Sequence, residues 1–354
     1  MPDYDALLVV SFGGPEGPAD VLPFLRNVTA GRNVPDSRLE HVAEHYHRFG
    51  GVSPISQQCR ELILAVRKDF EAEGIDLPVY WGNRNWHPYL ADTLAEMAAD
   101  GITRALAFVT SAYSSYSSCR QYLDDLEQAR AAAGSGAPPV DKIWPYYSHP
   151  AFAECFTAAA AAALESLPVA VRAEADLVFT AHSIPTAMAE RSGPACGGPA
   201  GSGPAGGAYA AQLAEVAGQV AARLGRPWRL AYSSRSGPPS QPWLVPDVND
   251  CLAELAAAGS RAVVVVPIGF VSDHMEVRFD LDIEAAQTAE RLGLPFARAA
   301  TPGTSPRFVG MISDLVRQWQ AGPPYPRLAA PPGGTYCSAG CCVPAPAARP
   351  GAAG

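Results

Sequence analysis

The sequence predicts an α/β fold of two Rossmann-like halves, each a four-stranded parallel sheet flanked by helices, with a cleft between them. Three observations carry this reading: short apolar runs alternate with helix-length segments, the runs have the composition of buried strands, and one block of sequence occurs twice. Runs at 7–11, 79–82, 105–110, 142–145, 177–180, 230–233, 262–268 and 296–299 alternate with helical patterns at 90–99, 120–132, 151–167, 210–224, 248–258 and 306–319. Runs this short, several rich in Val and Ile, suit strands buried on both faces. Strand, helix and strand in alternation imply right-handed crossovers and a parallel sheet. The block from Pro88 to Gly101 returns at one offset from Pro246 to Gly259, with Asp92, Leu94, Ala95 and Glu96 recurring as Asp250, Leu252, Ala253 and Glu254. Upstream, 10–15 parallels 180–185, which makes Phe12 the counterpart of His182. Chance likeness between Ala-rich helices is the plain alternative.

A chain of 354 residues suits two domains of ordinary size. The expected boundaries are 1–150 and 151–304. A helix at 305–320 should pack back on the first half, ahead of a Pro/Gly-rich tail at 321–354. The net charge of −9, without a run of Lys and Arg, argues against nucleic acid and mildly favours the approach of cations. The first apolar run is too short for a signal peptide core. No window reaches the roughly 18 apolar residues that a transmembrane helix needs. The expectation is a cytoplasmic monomer with no transmembrane segment.

Ligands of open α/β sheets bind beyond the carboxyl ends of the strands, so residues there are the candidates. After the first strand stands Phe12. After the second come Arg84 and Trp86, with Arg235 in the matching place after the sixth. These arginines either bind carboxylates or brace their loops, and bracing is preferred. After the third, 112–122 supplies tyrosines, serines and Arg120, which suit a flat, amphipathic, carboxylated ligand. After the fifth comes His182, whose imidazole can take a proton or bind a divalent metal, although a lone His is as often structural. An irregular Gly/Pro/Ala/Ser insert follows at 192–208. After the seventh strand, Glu276, Asp280 and Glu284 are spaced by four, which on a helix makes one acidic row. Like charges so placed repel unless a cation relieves them, and oxygen donors suit such an ion. A solvated helix face is the alternative.

The eight cysteines do not suggest a disulfide framework in a chain this long without a secretion signal. Cys59, Cys119, Cys196 and Cys251 read as small buried hydrophobes or bystanders. Cys337, Cys341 and Cys342 put three thiols within six residues. A [2Fe–2S] cluster needs four. A structural Zn²⁺ site and unliganded thiols are the other readings.

Taken together, the motifs at 11–15, 49–55, 85–88, 181–185, 233–239 with 242–243, and 270–276 resemble the ferrochelatase family over about residues 5 to 319, most of all its actinobacterial members with a cysteine-bearing tail. The resemblance implies a two-domain chelatase fold and insertion of Fe²⁺ into a porphyrin. Coproporphyrin III is the expected substrate, giving coprohaem, with protoporphyrin IX the alternative. It implies that His182 and Glu276 are the catalytic pair and metal contacts, and that Asp280 and Glu284 deliver metal or carry off protons. Tyr46, Ser53 and Tyr122 fall where the family contacts propionates, with Arg26 and Arg120 as further candidates. Cys155 is implied as the internal fourth ligand of a [2Fe–2S] cluster. Phe12 departs from the family pattern, because many relatives have a metal-binding tyrosine there. A chelatase for cobalt or nickel and a non-catalytic haem-binding protein are the rival readings.

Overall fold

The computed structural model describes residues 3–32, 34–193, 207–236, 240–322, 341, 342 and 344. It contains two parallel sheets. The first joins β1 (Ala6–Ser11), β2 (Val79–Asn83), β3 (Ala105–Val109) and β4 (Val140–Lys142) in the order β2-β1-β3-β4. The second joins β5 (Asp176–His182), β6 (Trp228–Ser233), β7 (Val263–Val266) and β8 (Phe296–Arg298) in the order β6-β5-β7-β8. Each of the eight expected runs overlaps one of these strands, the fourth only at Lys142, and the two orders are the same.

The helices in chain order are α1 (Val21–Val28), α2 (Asp36–His47), α3 (Pro54–Glu73), α4 (Leu90–Ala99), α5 (Gln121–Ala133), α6 (Pro150–Ser166), α7 (Val169–Arg172), α8 (Thr186–Ala189), α9 (Gly207–Leu224), α10 (Val248–Ala257), α11 (Met275–Phe279), α12 (Ala286–Arg291) and α13 (Pro306–Ala321). Two π-helical turns interrupt this pattern, Tyr116–Arg120 ahead of α5 and Asp280–Ala285 between α11 and α12. The connection from β1 to β2 departs from the expected pattern. It holds three helices where the alternation of runs marked none.

The register supports the duplication. Ser11 lies opposite Asn83 on β2, and Ala181 lies opposite Tyr232 on β6. Asn83 and Tyr232 play one role, because their N–H groups donate to the carbonyls of Pro88 and Pro246 at 2.7 and 2.9 Å. Phe12 and His182, the next residue of each strand end, are therefore structural counterparts.

One continuous apolar core runs between the halves. It takes Leu7, Val9, Leu106 and Phe108 from the first sheet, Leu177, Phe179, Val264 and Val266 from the second, and Phe152, Phe156, Phe308 and Leu315 from the helices. Separate cores close the outer face of each sheet. The shared core sets the two rows of strand ends in one frame. Two buried polar links reinforce it: Tyr113 Oη donates to the Ile268 carbonyl at 2.9 Å, and Gln212 bonds the Ser114 N–H and hydroxyl at 2.8 and 2.9 Å. The α13 helix packs on α3 and α6, with Trp319 edge-on to Tyr4 and Trp144 and with Arg317 paired to Glu73 at 2.7 Å.

Candidate active site

His182 is the last residue of β5, so the strand delivers its imidazole to the carboxyl edge of the sheet. Its Nδ1–H donates to the Ser183 carbonyl at 2.5 Å. That bond fixes the tautomer and leaves Nε2 as the basic nitrogen facing outward. Tyr209 Oη donates to the His182 carbonyl at 3.0 Å and holds the strand end from behind.

The loop after β7 brings Glu276 to this nitrogen. Gly269 donates to the Thr180 carbonyl at 3.0 Å, and its backbone lies so close to β5 that an added Cβ would sit 2.6 Å from Ala181. Only glycine permits that approach. The loop then enters α11, and Glu276 Oε2 lies 3.4 Å from His182 Nε2. Half of the Glu276 side chain and a third of the His182 side chain remain accessible. The two side chains are thus brought together with part of each left accessible.

Their electrostatics suit proton transfer. Enclosure disfavours the charged imidazole, but Glu276, the Ser183 carbonyl and Asp280 outweigh it, so the His182 pKa rises above its ordinary value. Enclosure also disfavours the Glu276 carboxylate, but His182 and His274 outweigh it and hold the pKa below the usual range. Asp280 behaves oppositely. Burial, with Glu276 and Glu284 as like-charged neighbours, pushes it up to about 7 despite a hydrogen bond from Ser234. Glu284 is raised for a similar reason, by burial and by Asp247. The acidic row therefore exists, but Asp280 opens a π-turn where the spacing predicted a regular helix.

Phe12 stands among Phe24, Tyr46 and Trp86 in a small aromatic core, edge-on to Phe24 at 6.2 Å. The phenol of Tyr46 is raised by burial and by the nearby Glu276 charge. Arg84 braces this wall: it pairs with Asp125 and lies 4.5 Å from the Tyr122 ring centre and 5.7 Å from that of Phe12.

The other expected ligand contacts are less open. Ser53 is 3% exposed and Tyr122 is 4% exposed, since Ser53 packs against Gly14 and Tyr122 lies on the inner face of α5 under Arg84. Direct contact with a carboxylate would require these surroundings to open. Arg26 is exposed and 3.5 Å from Asp36, and Arg120 is held by Asp124 at 2.8 Å. Sequence reasoning missed His274 and Ser234, which act on Glu276 and Asp280. Ser234 has a signature only in structure, a φ of +63° that a non-glycine residue rarely adopts. Two surface hollows of about 880 and 800 Å³ flank edge strands β6 and β2 and include none of these residues.

A profile of the ferrochelatase family matches residues 4–320. The chain belongs to the ferrochelatase family. It is 52% identical to the coproporphyrin III ferrochelatase of Nocardia farcinica over 99% of both chains. It is 55% identical to that of Frankia alni over 96% of this chain and 87% of the relative. A ferrochelatase of Rhodopirellula baltica is 51% identical over 90% of this chain and 87% of the relative. Among solved structures, SirB from Bacillus subtilis with Fe³⁺ superposes with a TM-score of 0.55 at 10% identity, covering 90% of this chain and 96% of that one. CbiX, the terminal enzyme for siroheme biosynthesis in denitrifying bacteria, superposes at 0.50 with 14% identity over 90% and 100%. These two show the chelatase fold. Among the described residues, no helix is long and apolar enough to cross a membrane.

The cysteines of the tail meet a partner that the sequence reading set aside. Cys341 and Cys342 pack with Cys119, from the π-turn after β3, in a cluster of buried thiols. The Cys341 and Cys342 sulfurs are 3.8 Å apart, and the Gly193 N–H donates to Cys342 Sγ at 3.1 Å. Hydrogen bonding to Cys119 and Cys341, then burial, raises the Cys342 thiol. Cys155 lies elsewhere. It packs in the main core with Sγ 3.8 Å from Ser305 Oγ, whereas Cys119 is the internal thiol beside Cys341 and Cys342. Cys337 and Cys196 fall outside the described residues. Among the described residues, no three His, Cys, Asp or Glu side chains are disposed to hold a metal ion. The three thiols have the donor type of an iron–sulfur site but, as placed, not the disposition to hold one.

Proposed function

We propose that this enzyme inserts Fe²⁺ into coproporphyrin III, giving coprohaem, in the groove between Phe12 and the His182–Glu276 pair. The observation that carries the reading is the 3.4 Å approach of Nε2 and Oε2, delivered from the ends of two neighbouring strands of the second sheet. The names of the relatives from Nocardia and Frankia support the tetra-acid porphyrin.

Metallation releases two pyrrolic protons and strips water from Fe²⁺. The aromatic wall around Phe12 supports one face of the macrocycle, and binding energy from ring and carboxylates bends it so that the nitrogen lone pairs point outward. His182 Nε2 is the nitrogen that accepts a proton, since Nδ1–H is committed to the Ser183 carbonyl, and the neighbouring carboxylates stabilise the imidazolium that forms. Glu276 stabilises the imidazolium and passes the second proton toward Asp280 and solvent. Asp280, near half-ionised at neutral pH, exchanges a proton for the arriving cation. Phe12 has no oxygen to ligate iron, which leaves metal handling to the opposite face.

The same reading adds a [2Fe–2S] cluster at the tail, held by Cys337, Cys341, Cys342 and one internal thiol, Cys155 by the family resemblance or Cys119 by its packing beside the tail, and takes the enzyme as a cytoplasmic monomer. The cluster would tie the tail to the strand ends and is assigned no step in metallation. The test is product formation from Fe²⁺ with coproporphyrin III and with protoporphyrin IX, monitored by absorbance. Faster turnover of coproporphyrin III is expected. A preference for protoporphyrin IX overturns the substrate, and porphyrin binding without metallation overturns the activity.

A further inference from the structure

We infer that Arg298, at the end of β8, is a positioning residue that sets the geometry of the metal-handling row. Its guanidinium is 15% exposed and lies between two carboxylates. Nη1 and Nη2 donate to the two oxygens of Asp273 at 3.1 Å each. Nε and Nη2 donate to the two oxygens of Asp282 at 2.7 and 3.1 Å. Asp273 stands three residues before Glu276, and Asp282 lies in the π-turn between Asp280 and Glu284. One planar fork therefore clasps the helical segment at both ends of the stretch that carries Glu276 and Asp280.

The neighbours show that this clasp is built. Asp273 also accepts from Thr301 Oγ1 at 3.1 Å, and its N–H donates to Gln58 Oε1 of α3 at 2.7 Å. The second contact reaches the first half of the molecule, five residues beyond Ser53. Arg278 forms a second ion pair with Asp282 at 2.7 Å. A π-turn widens a helix by one residue and re-aims the side chains around it. Fixing Asp282 from β8 fixes where Asp280 and Glu284 point. Two carboxylates at 12% and 26% exposure would repel each other and the row without this cation. A lysine carries the charge but not the fork, so it can satisfy one partner only.

This inference rests on the iron-insertion reading, and the test separates the two. Steady-state kinetics of Arg298→Gln and Arg298→Lys are compared with the parent, varying Fe²⁺ and porphyrin independently and recording melting temperatures. Residues that orient metal-handling groups change metal affinity by about 10–100-fold. Arg298→Gln should therefore raise KM for Fe²⁺ at least about tenfold while KM for the porphyrin stays within about twofold. Arg298→Lys should fall between, and it decides the matter if the glutamine variant does not fold. Unchanged KM for Fe²⁺ in the folded variants overturns the inference, as does an equal rise in both KM values. Failure of the parent enzyme to metallate overturns both readings.

Discussion

The two halves share a strand order, a proline-led helix after the second strand of each, and a π-helical turn after the third, yet they present opposite chemistry to the cleft. In the first half the strand end offers Phe12, backed by Phe24, Tyr46 and Trp86. In the second it offers His182, with Glu276 beside it from the loop after the neighbouring strand. The π-turn of the first half carries Cys119 and Arg120, and that of the second carries Asp280 and Glu284. One scaffold occurs twice, and on the proposed function the different residues at equivalent strand ends make one face a wall and the other a proton and metal relay. The fold fixes where chemistry can occur, and the residue at the strand end decides which chemistry does occur.

The largest expected effect tests this division directly. His182→Ala should lower iron insertion by about 10²–10⁴-fold, the usual worth of a positioned acid–base group. Porphyrin binding, followed by its absorbance shift, should persist. Phe12→Ala should do the reverse, weakening porphyrin binding more than turnover of bound ligand. Equal losses in both variants would break the proposed asymmetry.

A smaller and pH-dependent effect is expected at Asp280. Its folded pKa of about 7 lies above the ordinary 3.8, so ionising it costs the folded state. That cost begins as pH rises past 3.8 and is complete above about 7. Asp280→Asn should therefore melt higher than the parent at about pH 8, with the gain shrinking toward about pH 4. The same variant should lose the rise in metal insertion that the parent shows through neutrality. Stability gained with activity lost is the signature of a carboxylate kept for function. A melting difference that does not vary with pH would show that Asp280 is not held neutral by its surroundings.

Sequence made the sheets and the strand ends legible for a clear physical reason. Doubly buried strands leave uninterrupted apolar runs, and strand ends are where polar residues reappear. The helices between β1 and β2 were not legible by the same signal. Of twelve residues in α2, only Leu39 and Ala43 are buried, so it has almost no apolar stripe. Helix α3 did leave marks, with Pro54 opening it and Gly74 closing it at φ +68°. The π-turns were hidden because spacing by four reads the same whether or not one residue is inserted. Ser53 and Tyr122 could be placed near the cleft by motif, but their burial depends on Gly14 and Arg84, which are distant in sequence.

The cysteines sharpen the comparison last, with the smallest expected effect on turnover. Cys119 and Cys155 both lie after strands of the first half, and sequence distance does not choose between them. The structure places Cys119 against Cys341 and Cys342, and Cys155 against Ser305 in the core. Cys342 adopts φ +53°, a conformation that non-glycine residues keep only when surroundings hold them there. Its sulfur accepts the Gly193 N–H, and the adjacent Ser192 hydroxyl accepts the Tyr209 N–H of α9 at 2.8 Å. Tyr209 of α9 in turn holds the His182 carbonyl. A cluster bound at Cys119 would therefore be anchored near the rear of the catalytic strand without entering the cleft. Cys119→Ser should abolish the visible charge-transfer absorbance of purified protein and change turnover by less than about tenfold, because it touches neither Nε2 nor Glu276. Cys155→Ser should leave that absorbance intact. The opposite result would return the fourth thiolate to Cys155 and require the tail to leave the position it holds beside Cys119.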